Sequence, residues 1–146
     1  MSEQRDKMIA TLKAVVIPPL RAKGFSGSFP HFRRIRAAQI DLLTFQFSMF
    51  GPQFCVNLHM CPPTGYTDYS GKHIQPNKVT VTHVGGTLPL RLGSKPPGQA
   101  DHWFSCEGTD DQVYTDTALE VLSLINTQAE EFWLQREQRN QPSPNE

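Results

Sequence analysis

Read from the N-terminus, the apolar residues first recur at helical spacing. Met8, Leu12, Val15 and Pro19 share one face, with Ile9, Val16 and Leu20 one step round it, which predicts an amphipathic helix over residues 3–22. Pro18-Pro19 must kink or restart that helix, because neither residue can donate a backbone hydrogen bond. Gly24 suits the left-handed residue just past its end, and Phe25 would then fold back onto the core. Residues 26–30 read as a loop.

The period then shortens to two. Phe32 to Arg36 reads as a short strand rich in arginine. Along Ile40–Phe47, Leu43, Phe45 and Phe47 face one side, and Thr44, Gln46 and, just beyond, Ser48 face the other. Phe54–Met60 repeats the pattern, with Phe54, Val56, Leu58 and Met60 facing the core and Cys55, Asn57 and His59 facing away. Gly51-Pro52 marks the turn between them. A hairpin closing there pairs Phe47 with Phe54, Phe45 with Val56 and Leu43 with Leu58. Slipping that register by one residue would expose the whole apolar set, so burial dictates it.

Residues 61–78, rich in proline, glycine and polar side chains, read as a long loop. Val79–Val84 and Leu88–Leu92 alternate as two further strands, with Gly85-Gly86 as a tight hairpin turn between them. After the loop GSKPPGQAD, His102–Cys106 is a short aromatic last strand. Thr109 opens the final helix, where Gln112 completes a T-x-x-Q capping box and Asp110 and Asp111 suit the positive helix end. Tyr114, Ala118, Val121, Leu122, Ile125, Ala129 and Phe132 form its apolar stripe, with Trp133 beside it. The tail from Gln138 lacks apolar residues and is expected to be disordered. These elements amount to a single α+β domain over residues 1–137. An antiparallel β-sheet of five to six strands carries an N-terminal and a C-terminal helix packed on one face.

With 38% hydrophobic and 19% charged residues, a chain of this length can bury a sufficient core without disulfides or a metal. No apolar stretch approaches the ~20 residues of a membrane span. MSEQRDK mixes acidic and basic residues with no apolar run behind it, so a secretory signal is not expected. An odd set of cysteines, Cys55, Cys61 and Cys106, then points to reduced thiols and a cytoplasmic setting. Charge is unevenly spread, at +6 over residues 1–36, +1 over 37–106 and −7 over 107–146. The expected reading is compensation between terminal helices lying near each other, since each exposed pair contributes only ~0–1 kcal/mol.

Three segments stand out together. They are Gly24-Phe25 leading to Phe32–Arg34, the hairpin FQFS…FCVNL, and LRLG followed by DHWF and an acidic-capped helix. In that order and spacing the chain resembles the bacterial family named domain of unknown function 4304. The resemblance covers nearly everything but the tail and rests mainly on fold-forming apolar positions. The matching polar positions are Arg33, Gln46, Asn57 and Arg91, with Trp103 as the aromatic match. Family members often carry two adjacent tryptophans where this chain has Trp103-Phe104. The resemblance implies an α+β fold in a bacterial cytoplasm and brings no activity with it.

Candidate chemistry gathers on the polar face of the hairpin. There Gln46 should neighbour Cys55, Thr44 should neighbour Asn57, and Leu42 should lie near His59. The face reads either as a ligand surface bordered by Arg33 or Arg34, or as the solvated side of a one-sided sheet. Arg33, Arg34 and Arg36 could grip a phosphate or carboxylate. Alternation puts Arg34 and Arg36 on one face and Arg33 on the other, and pairing to the acidic last helix would equally explain them. Nucleic acid is not an expected partner, given the neutral overall charge and the lack of an aromatic–basic stripe. Cys55, His59 and Cys61 are too far apart along one strand for a shared metal, and no cofactor fingerprint is present. Trp103 and Trp133 read as anchors where helix meets sheet, with Trp103 a candidate edge contact.

The leading expectation is a non-enzymatic binding module, monomer or homodimer, that engages a protein partner or a small anionic ligand. Its candidate residues are Arg33, Arg34, Gln46, Asn57, His59, Arg91 and Trp103. By size analogy alone, an immunity-type protein that blocks a toxin fits the same profile. The alternative is a small hydrolase or transferase using Arg33, Asn57 and His59 with a cysteine or a carboxylate from residues 61–78.

Overall fold

The N-terminal helix divides where its prolines demand. In the computed structural model, which describes residues 3–95, 101–108 and 110–140, α1 spans Glu3–Val15 and α2 spans Ile17–Ala22. Pro18 and Pro19 fall in the first turn of α2, where an N–H has no helical acceptor in any case. A Schellman motif ends α2. Gly24, at φ +101°, donates to Arg21 O (3.0 Å) and Phe25 donates to Leu20 O (3.1 Å). Phe25 is thereby turned inward, its ring 5.2 Å from that of Trp133.

The strands are β1 (Ser26–Ser28), β2 (His31–Ile35), β3 (Ile40–Phe47), β4 (Gln53–Cys61), β5 (Tyr66–Thr67), β6 (His73–Ile74), β7 (Leu90–Arg91) and β8 (Phe104–Ser105). Six of them form one antiparallel sheet in the order β1-β2-β3-β4, with β7 and β8 sharing the far edge of β4. The β3–β4 hairpin has the register that burial dictates, Phe47 opposite Phe54 through to Ile40 opposite Cys61. On one face Phe32, Leu43, Phe45, Phe54, Val56 and Leu58 pack against the helices in the main core.

Several elements differ from the sequence reading. Residues 26–28 extend the sheet as β1, and β5 and β6 form a small separate hairpin within 61–78. Only Leu90–Arg91 of the 88–92 run and Phe104–Ser105 of the 102–106 run are paired. Val79–Val84 is no strand. It passes over the outer face of the sheet as a 3-10 helix at Val81–His83, closed by Thr80 N–H donating to His83 Nδ1 (2.9 Å). Val79 and Val81 instead pack with Ile40, Leu42, Cys61 and Ile74 in a second, smaller core on that face. Their alternation records a covering segment, and Gly85-Gly86 joins it to β7 without closing a hairpin of paired strands. The outer face is therefore largely roofed, where a one-sided sheet would leave it to solvent.

The C-terminal helix begins with α3 (Asp111–Leu124), whose N-cap is Asp110, its side chain accepting from Gln112 N–H (3.0 Å). Thr109, the cap expected from the sequence, lies outside the described residues. One π turn at Ile125–Ala129 leads into α4 (Glu130–Arg139). The wider turn changes the buried stripe to Tyr114, Ala118, Val121, Ile125, Ala129 and Trp133, leaving Phe132 and Leu122 half-buried at its flank. Because α4 runs through Arg139, residues 138–139 are helical and not tail. Residues 141–146 lie outside the described residues.

Asp41 is the one acidic side chain of β3, and it points to the helix side with no exposed surface. Arg34 Nε (2.8 Å), Arg36 Nε (2.9 Å) and Gln39 Nε2 (2.7 Å) all donate to its carboxylate. Arg34 also donates to Glu130 Oε1 (2.6 Å), Arg36 to Glu137 (2.8 Å) and Lys23 to Glu130 (3.1 Å). The basic start and acidic end of the chain thus compensate through specific pairs that Lys23 after α2, Arg34 of β2 and Arg36 of the β2–β3 turn make with α4.

Candidate functional site

Register sets the outer-face side chains in rows. Arg33, Leu42 and His59 form one row; His31, Thr44, Asn57 and Arg91 the next; Gln46 and Cys55 the third. The covering segment is tied down over the first row. Arg33 Nε donates to Val79 O (2.9 Å), and His59 Nε2 lies 3.2 Å from Thr87 O. Arg33 and His59 therefore stand two strands apart with Leu42 between them, each bonded to the segment above.

His59 is held neutral by its contacts. Met60 N–H donates to Nδ1 (2.9 Å), so the ring proton sits on Nε2, where Thr87 O accepts it. Burial lowers the His59 pKa, and the Arg136 charge adds to that against the opposing hydrogen bonds. Burial also lowers that of His31, with Arg33 and His83 contributing, while His31 Nδ1 lies 2.9 Å from Thr44 Oγ1. A histidine whose folded pKa is depressed binds its proton more readily in the unfolded chain. Its stabilisation is complete above the unfolded value of 6.5 and is lost as pH falls through the lower folded value. Urea denaturation between about pH 8 and about pH 5 should show stability falling across that window, with a shallower fall in His59→Gln. Parallel profiles for the two proteins would mean that His59 is not held neutral by its fold.

The second and third rows form the polar centre. Asn57 Nδ2 donates to Gln46 Oε1 (2.9 Å), and the Cys55 thiol lies 3.8 Å from that oxygen. Thr44, Cys55 and Asn57 are buried, while Gln46 is exposed at the margin. Burial raises the Cys55 pKa, only partly offset by Arg91, and pushes that of Cys61 up to about 11. Both thiols are therefore protonated and poor nucleophiles at neutral pH.

Arg91 ends the second row, on the short edge strand β7. Its guanidinium lies 5.1 Å from the centre of the Trp103 ring. Its carbonyl accepts from both Ser94 N–H (3.0 Å) and Ser94 Oγ (2.6 Å), which fixes the turn that follows β7. Gln128, in the π turn, clasps the same turn: it accepts from Gly93 N–H and donates to Ser94 O (2.8 Å). Arg91 opens on a hollow of about 200 Å³ lined also by Leu88, Pro89, Ser94 and Asp101. Its Nη1 is buried and has no hydrogen-bond partner among the described residues.

Of the residues singled out from the sequence, the fold brings Gln46, Asn57, Arg91 and Trp103 to one end of the outer face. It places Arg33 and His59 beneath the covering segment, and Arg34 on the opposite face, inside the Asp41–Glu130 network. Asp101, Ser94 and Gln128 were not singled out, and nothing in their local sequence marks them. Asp41 did carry a signal, as a charge at a position in phase with Leu43 and Phe45. Among the described residues, no group of three His, Cys, Asp or Glu side chains is placed to hold a metal ion, and no helix is long and apolar enough to cross a membrane.

Comparison with curated proteins and with solved structures finds no match. The family model described as a domain of unknown function, DUF4304, matches residues 16–135, from the start of α2 through most of α4. The match takes in the whole sheet, both polar rows and Arg91, and the chain belongs to the DUF4304 family.

Proposed function

We propose that this protein is a non-enzymatic binding module that receives an anionic group of its ligand at Arg91. One observation carries the reading. Nη1 of Arg91 is buried without a hydrogen bond to any described residue, whereas Arg33, Arg34 and Arg36 all donate to protein oxygens. Leaving a buried donor unpaired costs about 1–3 kcal/mol. A carboxylate or phosphate could recover that by accepting two parallel N–H bonds from the guanidinium. The only other such atom among the described residues is Gln39 Oε1, in a side chain 1% exposed and already bonded to Asp41 and Trp133 O. It does not line the hollow at Arg91.

The enzymatic alternative would require Arg33, Asn57 and His59 to converge. Arg33 and His59 instead hold the covering segment from opposite sides, and the neutral His59 has both ring nitrogens occupied. That arrangement supports binding over catalysis.

The test is a thermal-shift titration with inorganic phosphate, sulfate, malonate and citrate. A ligand at a hundred times its Kd stabilises the fold by about 2.7 kcal/mol, a shift of several degrees. The expected result is a shift with at least one of these anions that disappears in Arg91→Ala and shrinks in Arg91→Lys, which cannot bind bidentately. A shift of equal size in Arg91→Ala would place the anion elsewhere and overturn the reading.

A further inference from the structure

We infer that the ligand is an acidic, extended segment of a partner protein, lying in the groove between residues 88–94 and α4 and delivering one carboxylate to Arg91. The inference rests on the anion-binding reading of Arg91 and adds the partner and its path. The groove encloses about 500 Å³, within the roughly 300–1,000 Å³ typical of ligand sites. It shares Leu88, Pro89 and Ser94 with the hollow at Arg91, so the two form one continuous surface from α4 to the sheet.

Its chemistry is that of a peptide channel. Leu88 is 90% exposed, and with the half-buried Leu90 and Phe132 it makes an apolar strip along the groove. Arg136 lies over the Phe132 ring (5.1 Å) and Arg139 stands one turn further along. Neither forms an ion pair among the described residues, unlike Lys23, Arg34 and Arg36. Of the two carboxylates on this surface, Glu131 accepts from Gln135 (3.2 Å), and Asp101 lies at the Arg91 end. Three cations, Arg91, Arg136 and Arg139, therefore flank an apolar strip, which matches a segment alternating acidic and apolar residues.

The channel is preformed. Gln128 bonds both Gly93 and Ser94 from the π turn, so the wall carrying Leu90 and Arg91 is fixed to the start of the groove's helical side before any ligand arrives. Pro89 has no N–H, so a partner strand would find an interrupted edge at β7, and side chains must supply the recognition.

The experiment is fluorescence anisotropy on the full chain with labelled eight-residue peptides. One set alternates Asp or Glu with Leu, Val or Phe, and a control set carries Lys in place of every acid. Binding is expected from acidic peptides and not from the control set. Arg136→Glu combined with Arg139→Glu should weaken it by about tenfold or more, because reversing charges beside a groove both removes attraction and adds repulsion. Both positions are on the surface of α4, and unchanged thermal melting of the double variant confirms its fold. The same variant should keep the small-anion shift at Arg91. If that shift persists while no acidic peptide binds, or if peptides bind the double variant as well as the parent, the groove proposal is overturned and the Arg91 reading stands. Absence of both the anion shift and peptide binding overturns the two together.

Discussion

Asp41→Ala should lower the unfolding free energy by about 3–5 kcal/mol, as read from urea denaturation at neutral pH. The carboxylate has no exposed surface and receives hydrogen bonds from Arg34, Arg36 and Gln39. Removing it leaves two guanidinium groups facing a space with no counter-charge. They are not wholly stranded, since their side chains are 14% and 31% exposed and retain Glu130 and Glu137. That relief places the expectation toward the lower end of the range. Even so, a domain of ordinary stability holds only about 5–15 kcal/mol in total, so the loss would be a large fraction. Asp41→Asn keeps the shape but offers an N–H where one of the donors now points, and should fall between the parent and the alanine variant. A loss below about 1 kcal/mol for Asp41→Ala would mean that the pairs behave like exposed ones.

Trp133→Ala is expected to cost a similar amount, about 3–5 kcal/mol, by a different mechanism. The indole is fully buried where α4 meets the sheet, against Phe25 and beneath the Arg34 guanidinium (5.3 Å). Its Nε1–H donates to His59 O (3.0 Å). Alanine would leave a cavity and remove that hydrogen bond at once, and Trp133→Phe separates the two. Phenylalanine retains most of the packing and loses the hydrogen bond, so it should cost about 1–3 kcal/mol. Far-UV circular dichroism is the suitable probe, because Trp103 would confuse a fluorescence signal. Equal losses for the alanine and phenylalanine variants would show that the hydrogen bond, and not the volume, sets the cost. The two sites should also couple: Arg34 touches both Asp41 and Trp133, so the double variant should depart from additivity.

Where burial alone decides, the sequence was sufficient. The β3–β4 hairpin is legible residue by residue, because one register buries Leu43, Phe45, Phe47, Phe54, Val56 and Leu58 together. Gly24 and Phe25 were legible for a local reason, since a helix end with glycine at C′ has few alternatives. Val79 and Val81 misled because alternation reports only which residues are buried. It does not say whether they lie beside a strand or across a sheet face. The pairing of Arg34 and Arg36 with Glu130 and Glu137 of α4 depends on which groups meet over a separation of about a hundred residues, and composition could suggest compensation but not name partners. Arg91 could be singled out only through the resemblance. What marks it physically, an unfilled donor beside Trp103, needs three segments brought together in space.

The π turn at Ile125–Ala129 has a consequence for how the two halves of the C-terminal helix can change. Val121, Ile125, Ala129 and Trp133 follow one another in steps of four. At about 100° per residue, an unbroken α-helix would carry the last of them about 120° away from the first. The wide turn absorbs that drift, so it behaves as a stored one-residue insertion. Deleting a single residue from 126–128 would remove it and restore regular helix, and at about 100° per residue Trp133 would still lie within about 20° of Val121. Trp133 would stay in the core, Glu130 and Glu137 would keep facing their arginines, and the loss would fall on Gln128 and its bonds to Gly93 and Ser94. The helix would gain regularity and keep its phase with the sheet, so this segment should tolerate the loss of one residue better than the regular turns on either side of it.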